Sequence, residues 1–141
     1  MSSRGVAHQR RLATSAIVGL AAFVGALAGW PTWTVSGSAT RNSYASLRAA
    51  QVIGVDQLTP FRVVWFCVPV AASAIGLLLI ARATRSAAAL GLLMSIVLLG
   101  FGGVVLLTPV ASGVGPWLAC GSGVVLAAAS IALLSQGRDQ E

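Results

Sequence analysis

Apolar residues fall into four unbroken runs: Leu12 to Pro31, Val63 to Ala81, Ala87 to Leu107 and Gly113 to Leu134. Charged residues, with His, Asn and Gln, are confined to the segments between these runs and to the two ends, and only a few Ser and Thr lie within the runs. Each run holds about 18–22 residues, the length a helix needs to cross a hydrocarbon core ~30 Å thick. None has Asp, Glu, Lys, Arg or His in its interior. Inside lipid only helices and closed barrels satisfy their own backbone, and an unbroken apolar run lacks the alternation of a barrel strand. The pattern predicts an all-α membrane protein. One domain over residues 1–141 holds four transmembrane helices in one bundle, at about 12–31, 63–81, 87–107 and 113–134. A short extracytoplasmic loop cap lies between the first two.

That loop, about 34–61, is the one sizeable polar stretch. Trp33-Thr34-Val35-Ser36-Gly37 favours extended chain before a turn. Asn42 or Ser43 then caps a short helix with Tyr44, Leu47 and Gln51 on one side and Gly54 as its stop. Thr108 to Ser112 is short and uncharged, so the third and fourth helices form a tight hairpin. Pro69 removes a backbone donor near the outer end of the second helix and bends it. Met1 to Gln9, with the lone His8, and Ser135 to Glu141 read as solvated tails.

Composition removes whole classes. The chain is 57% hydrophobic and 9% charged, with a mean hydropathy of +0.89. A soluble domain carries about 25% charged residues, so soluble, disordered and disulfide-rich secreted classes are excluded. All nine basic residues are Arg, and the net charge is +6. In a soluble domain that balance would suggest nucleic acid. Here the arginines stand at the ends of apolar runs, where they set orientation, and no nucleic acid partner is expected. Arg4, Arg10, Arg11, Arg82, Arg85 and Arg138 fall on one side, against Arg41, Arg48 and Arg62 on the other. This bias places both termini of a multi-pass membrane protein in the cytoplasm. Arg10 and Arg11 before the first run, with Ala26-Leu27-Ala28 inside it, imitate a secretion signal. The run exceeds a usual signal core and ends in Trp30 and Trp33, so it reads as a retained anchor.

With that topology Trp30, Trp33, Trp65 and Trp117 all reach the outer interface, joined by Phe61 and Phe66. Indole rings settle there because one edge is apolar while the N–H seeks a partner. Two readings fit, a lipid belt and a docking surface; belts normally occupy both interfaces, and the inner one has no Trp or Tyr. Candidate partner-binding residues are Arg41, Tyr44, Arg48, Trp30, Trp33, Trp65 and Trp117. Small residues mark helix faces for close packing: Ser15, Gly19, Ala22, Ala26 and Gly29; Pro69, Ala72, Ser73 and Gly76; Gly91, Ser95 and Gly102; Cys120, Gly123, Ala127 and Ser130. Cys67 and Cys120 lie at similar depth, but each reads more simply as a packing residue than as half of a disulfide.

Much chemistry is missing from the runs. Small four-helix multidrug transporters are similar in size, but that family depends on a membrane-embedded Glu, and none stands here. Proton relays and ion-coupled carriers need intramembrane ionisable groups. Haem ligation needs a helical His, metal binding needs His or carboxylates beside the thiols, and no hydroxyl has a base near it. Neither a catalytic residue nor a cofactor or metal site is expected.

Ser36-Gly37, Arg41-Asn42-Ser43-Tyr44 and Leu47-Arg48-Ala49-Ala50-Gln51, with the Trp30 and Trp33 ending, resemble small four-helix membrane proteins of mycobacteria and related actinobacteria. The resemblance covers most of the chain at the level of architecture. It implies an inner-membrane location in a cell-envelope context and carries no mechanism with it.

These readings lead to a non-enzymatic membrane protein that acts by association, offering its outer loop and Trp-rich rim to an exported or membrane partner. Membrane lipid is a further contact, and homo-oligomers are allowed. The alternative is an oligomeric passive pore or small-molecule transporter; a third is an enzyme subunit whose active residues lie on another chain. The topology is checked by reporter fusions. A fusion at Glu141 should be active only as a cytoplasmic reporter, and one within Ser36–Thr40 only as an exported one.

Overall fold

The computed structural model describes residues 3–36, 38–52, 59–108 and 111–138. Gly37, Gly54, Asp56, Asp139 and Glu141 lie outside them. The elements are α1 (Ser3–Leu27), β1 (Thr32–Ser36), β2 (Ala39–Asn42), α2 (Ser43–Val52), α3 (Thr59–Phe66), α4 (Val68–Ile80), α5 (Thr84–Leu107), β3 (Ala111–Ser112) and α6 (Val114–Arg138). Four helical stretches are long and apolar enough to cross a membrane: His8–Leu27, Pro60–Ile80, Thr84–Leu107 and Val114–Gln136.

The structure is mostly helical, and it corrects the all-α expectation with a three-stranded sheet in the order β2-β1-β3. Both neighbours pair antiparallel with β1, Thr34 opposite Arg41 on one side and Ser112 on the other. Beyond the helix ends the backbone still needs partners, and a ladder supplies them. Two strand residues in the α5–α6 connection are too few to leave a pattern in sequence.

Element limits differ from the apolar runs for identifiable reasons. α1 begins at Ser3 and α6 continues to Arg138, so the tails are largely helical. An apolar run marks where lipid contact begins, whereas a helix extends as far as its backbone bonds do. At its other end α1 stops at Leu27, whose carbonyl accepts from Trp30 N–H at 3.1 Å; Pro31 has no N–H for that carbonyl, so the helical ladder does not continue. The second span is broken in two at Cys67, with Pro69 in the first turn of α4. Pro69 has no N–H for the carbonyl of Trp65 four residues back, and its ring crowds that carbonyl, so the bend foreseen from the sequence occurs as a helix boundary.

α5 and α6 lie along one another, α6 also packs on α1, α1 on α4, and α4 on α5. Val18, Ile75, Leu98 and Leu126 are fully buried between them. Large apolar side chains on the outward faces, Val70, Leu77 and Ile131 among them, are exposed. In lipid these faces lose nothing by exposure, and helix association relies on close contact instead. Gly91, Ser95 and Gly102 are all buried on α5, as their spacing suggested. On α1 the buried face runs through Val18, Ala21, Ala22 and Gly25 rather than Ser15, Gly19 and Ala26, and Gly29 is buried just beyond the helix. On α4 it is Val68 and Ile75 that are buried, while Ser73 faces outward. Cys67 and Cys120 are free thiols.

The ends of the spans are tied differently. Away from the sheet, the Arg11 guanidinium donates to Thr84 Oγ1 at 2.8 Å, and Gln136 Nε2 donates to Thr14 Oγ1 at 3.1 Å. α4 closes with Arg82 in the left-handed region at φ 60°. Its N–H donates to Leu79 O at 3.1 Å and that of Ala83 to Leu78 O at 2.8 Å, the paired bonds of a Schellman turn.

Two glycines of α5 give a matched test of this packing. A methyl group on Gly102 would lie 2.6 Å from Cys120 Sγ and 2.9 Å from the carbonyl oxygen of Pro116, whereas one on Gly100 meets nothing within 4 Å. Gly102→Ala should destabilise the protein by about 1–3 kcal/mol through overpacking. Gly100→Ala should stabilise it by up to ~1 kcal/mol through helix propensity. Thermal unfolding of both variants in detergent reads the difference in sign.

Candidate functional site

Where α1 ends, two buried carbonyls lack a helical partner. Trp33 Nε1 donates to Ala28 O at 2.6 Å, and the carbonyl of Gly29 accepts from both Ser43 N at 3.2 Å and Ser43 Oγ at 2.8 Å. Ser43 Oγ in turn accepts from Trp65 Nε1 at 2.9 Å. One serine hydroxyl thus joins the end of α1, the start of α2 and the last turn of α3. The local sequence explains its position: Asn42 Oδ1 accepts from Ala45 N–H at 2.8 Å, so Asn42 caps α2 and Ser43 becomes its first residue.

Around this bond the indoles of Trp33 and Trp65 meet edge to face with centroids 4.9 Å apart, and Trp65 stacks on Phe101 at 4.7 Å. Trp33 is 2% exposed and Trp65 1%. Trp33 also fills the space beside Gly115, so that a side chain there would collide with the indole. Gly113 N–H donates to Trp33 O at 3.1 Å, which fixes the start of α6 against β1.

The seven candidate partner-binding residues therefore divide. Trp33 and Trp65 are interior and present no face to a partner. Trp30 is 58% exposed and Trp117 65% exposed. Arg41 and Arg48 are also exposed, and Tyr44 is half-buried. Tyr44 meets Trp30 edge to face at 5.5 Å and Phe66 at 5.1 Å, and its ring covers Gly29. Burial raises the pKa of the Tyr44 phenol above its ordinary value, so it remains a neutral hydrogen-bonding group. Arg48 stands four residues beyond Tyr44, on the same side of α2. Trp30, Tyr44, Phe66 and Arg48 thus share one region, while Trp117 sits apart on the first turn of α6.

Phe101 and Ser43 carry more of this assembly than the sequence suggested. Phe101 stands inside an apolar run and gives no local sign of its stacking. Ser43 was visible only as an alternative cap.

Beside the buried tryptophans is a cavity of about 610 Å³, within the size range of small-molecule sites. Trp33, Thr34, Ser43, Ser46 and Leu47 form its roof, and residues of α3 and α5 its walls. Thr34 Oγ1 and Ser46 Oγ share a bond at 2.9 Å, Ser46 Oγ donates to Asn42 O at 2.9 Å, and Ser43 is engaged as above. With these hydroxyls bonded, the cavity offers an apolar lining. Among the described residues no group of three or more His, Cys, Asp or Glu comes together to hold a metal ion.

Comparison with protein-family models, with curated proteins and with solved structures finds no match for this chain.

The serine bond can be isolated. Ser43→Ala strands the buried Trp65 N–H and should destabilise the protein by about 1–3 kcal/mol, the cost of an unsatisfied buried donor. Adding Trp65→Phe removes that donor, so the double variant should lose less than the sum of the single variants. Thermal unfolding of the four proteins in one detergent measures the coupling.

Proposed function

We propose that this chain is a non-enzymatic, multi-pass protein of the inner (plasma) membrane that works by associating with an exported or membrane-embedded protein. In this reading the four spans form one bundle with both termini cytoplasmic, and the segment from β1 through α2 is an extracytoplasmic cap. The observation that carries it is the exposed edge formed by Trp30, Tyr44 and Phe66 beside Arg48. Aromatic and Arg side chains carry much of the energy at protein interfaces, because each joins large contact area to directed hydrogen bonding. Here the rings are held in place before any partner arrives, which lowers the entropy lost on binding. Arg41 and Trp117, both exposed, extend the same reading around the rim.

Tyr44 is unsuited to a clean test, since it also packs over Gly29 and between two rings. Trp30→Ala combined with Arg41→Ala and Arg48→Ala removes exposed groups only, and none belongs to the spans that set insertion. After crosslinking in native membranes at matched expression, this variant should recover at least about tenfold less of the partner chain than the wild type. Equal recovery from both would overturn the reading. Recovery of crosslinked copies of this chain alone would favour an oligomeric pore or transporter instead.

A further inference from the structure

The cavity beside Trp33 is a different feature from the aromatic edge, and its occupant follows from where it opens. Phe61 and Val64 on α3 and Ile96 and Val104 on α5 line it, and all are exposed. It is therefore a groove open along the outer face between two stretches able to span a membrane. α3 packs on α4 but not extensively on α5, and the two are bridged by rings, Phe61 with Phe101 at 6.1 Å and Trp65 with Phe101 at 4.7 Å. Gly100 leaves the floor without a side chain.

We infer that this groove is a binding site for an anionic phospholipid, with one acyl chain between α3 and α5 under α2 and the headgroup at Arg41. The groove is separate from the Trp30–Tyr44–Phe66 edge, but Arg41 serves both readings, so the lipid is tested in nanodiscs that hold this chain alone. Three observations select this occupant. The walls belong to hydrophobic stretches, so in a bilayer the open side faces hydrocarbon. The roof hydroxyls are already bonded, so the groove favours a chain without polar groups. The charge at the roof is positive. Arg41 is the cross-strand partner of Thr34, a lining residue, and so shares its face of the ribbon. Among the described residues no Asp or Glu offsets it. A guanidinium suits a lipid phosphate because its planar fork donates two parallel bonds.

Gly100 and Gly76 make the test specific, because a Cβ added at either meets nothing within 4 Å, yet only Gly100 lines the groove. The full chain is reconstituted in phosphatidylcholine nanodiscs with a trace of phosphatidylglycerol carrying a photoactivatable diazirine on one acyl chain. After irradiation, adducts are mapped by mass spectrometry. Wild type should be labelled chiefly at Phe61, Val64, Ile96 and Phe101. Gly100→Trp should cut that labelling about tenfold while Gly76→Trp leaves it unchanged. Arg41→Ala should abolish the preference for this probe over its phosphatidylcholine analogue. Labelling spread evenly over Val70, Leu77 and Ile131 would mean ordinary boundary lipid and overturn the site. So would an unlabelled groove, as expected if a second copy or a protein partner filled it, or equal effects of the two tryptophan substitutions. Labelling by both headgroups alike would overturn the assignment of an anionic lipid.

Discussion

A helix that ends inside a structure leaves carbonyls that must find donors, and the sheet-bearing end of this protein is arranged around two of them. Ala28 and Gly29 are both buried, so water cannot serve their oxygens. Trp33 answers the first from five residues away. Ser43 answers the second with its amide and its hydroxyl together, and the same hydroxyl receives Trp65. The positions of α2, of the Trp33–Trp65 pair and of the groove beside them follow from this one arrangement. An apolar residue at 43 would leave Trp65 without its acceptor and Gly29 with one donor fewer.

Against that polar junction, the rest of the molecule is held by shape. Gly91 sits under Ser130, Gly102 under Cys120 and Gly25 under Leu98, each too close for a larger side chain to enter without movement. Such contacts substitute for the hydrophobic drive that lipid removes. The glycines nevertheless serve two purposes. Those at Gly76 and Gly100 meet no neighbour, and Gly100 opens space where the others close it.

The sequence revealed the features that lipid imposes. Long apolar runs without charges gave the four spans, and Asn42-Ser43 narrowed the cap of α2 to two neighbours, because both are written locally. Pro69 marked the break for the same reason, since a missing donor acts on its own helix. Long-range features were much less visible. Four tryptophans read alike as interfacial residues, yet two are interior and two exposed, a difference set by what lies opposite them in space. Trp33 is buried because Gly115 makes room for it, and nothing near Trp33 in the chain indicates that. The helix faces were also hard to resolve, for Ala, Gly and Ser are so frequent that several stripes fit each helix. α5, with its regular Gly91, Ser95 and Gly102 spacing, was the most readable.

The middle position of β1 has a consequence in time. Its pairing with β2 is between neighbours in the chain and can form as soon as Asn42 is available. Its pairing with β3 brings Thr34 to Ser112, across α2, α3, α4 and α5. Closing so long a loop is the slow kind of contact in folding. The first span therefore waits, with one edge of β1 unpaired, until the α5–α6 connection has been synthesised and delivered to the same side of the membrane. Completion of the sheet is thus a late event that reports the correct delivery of every span between its strands.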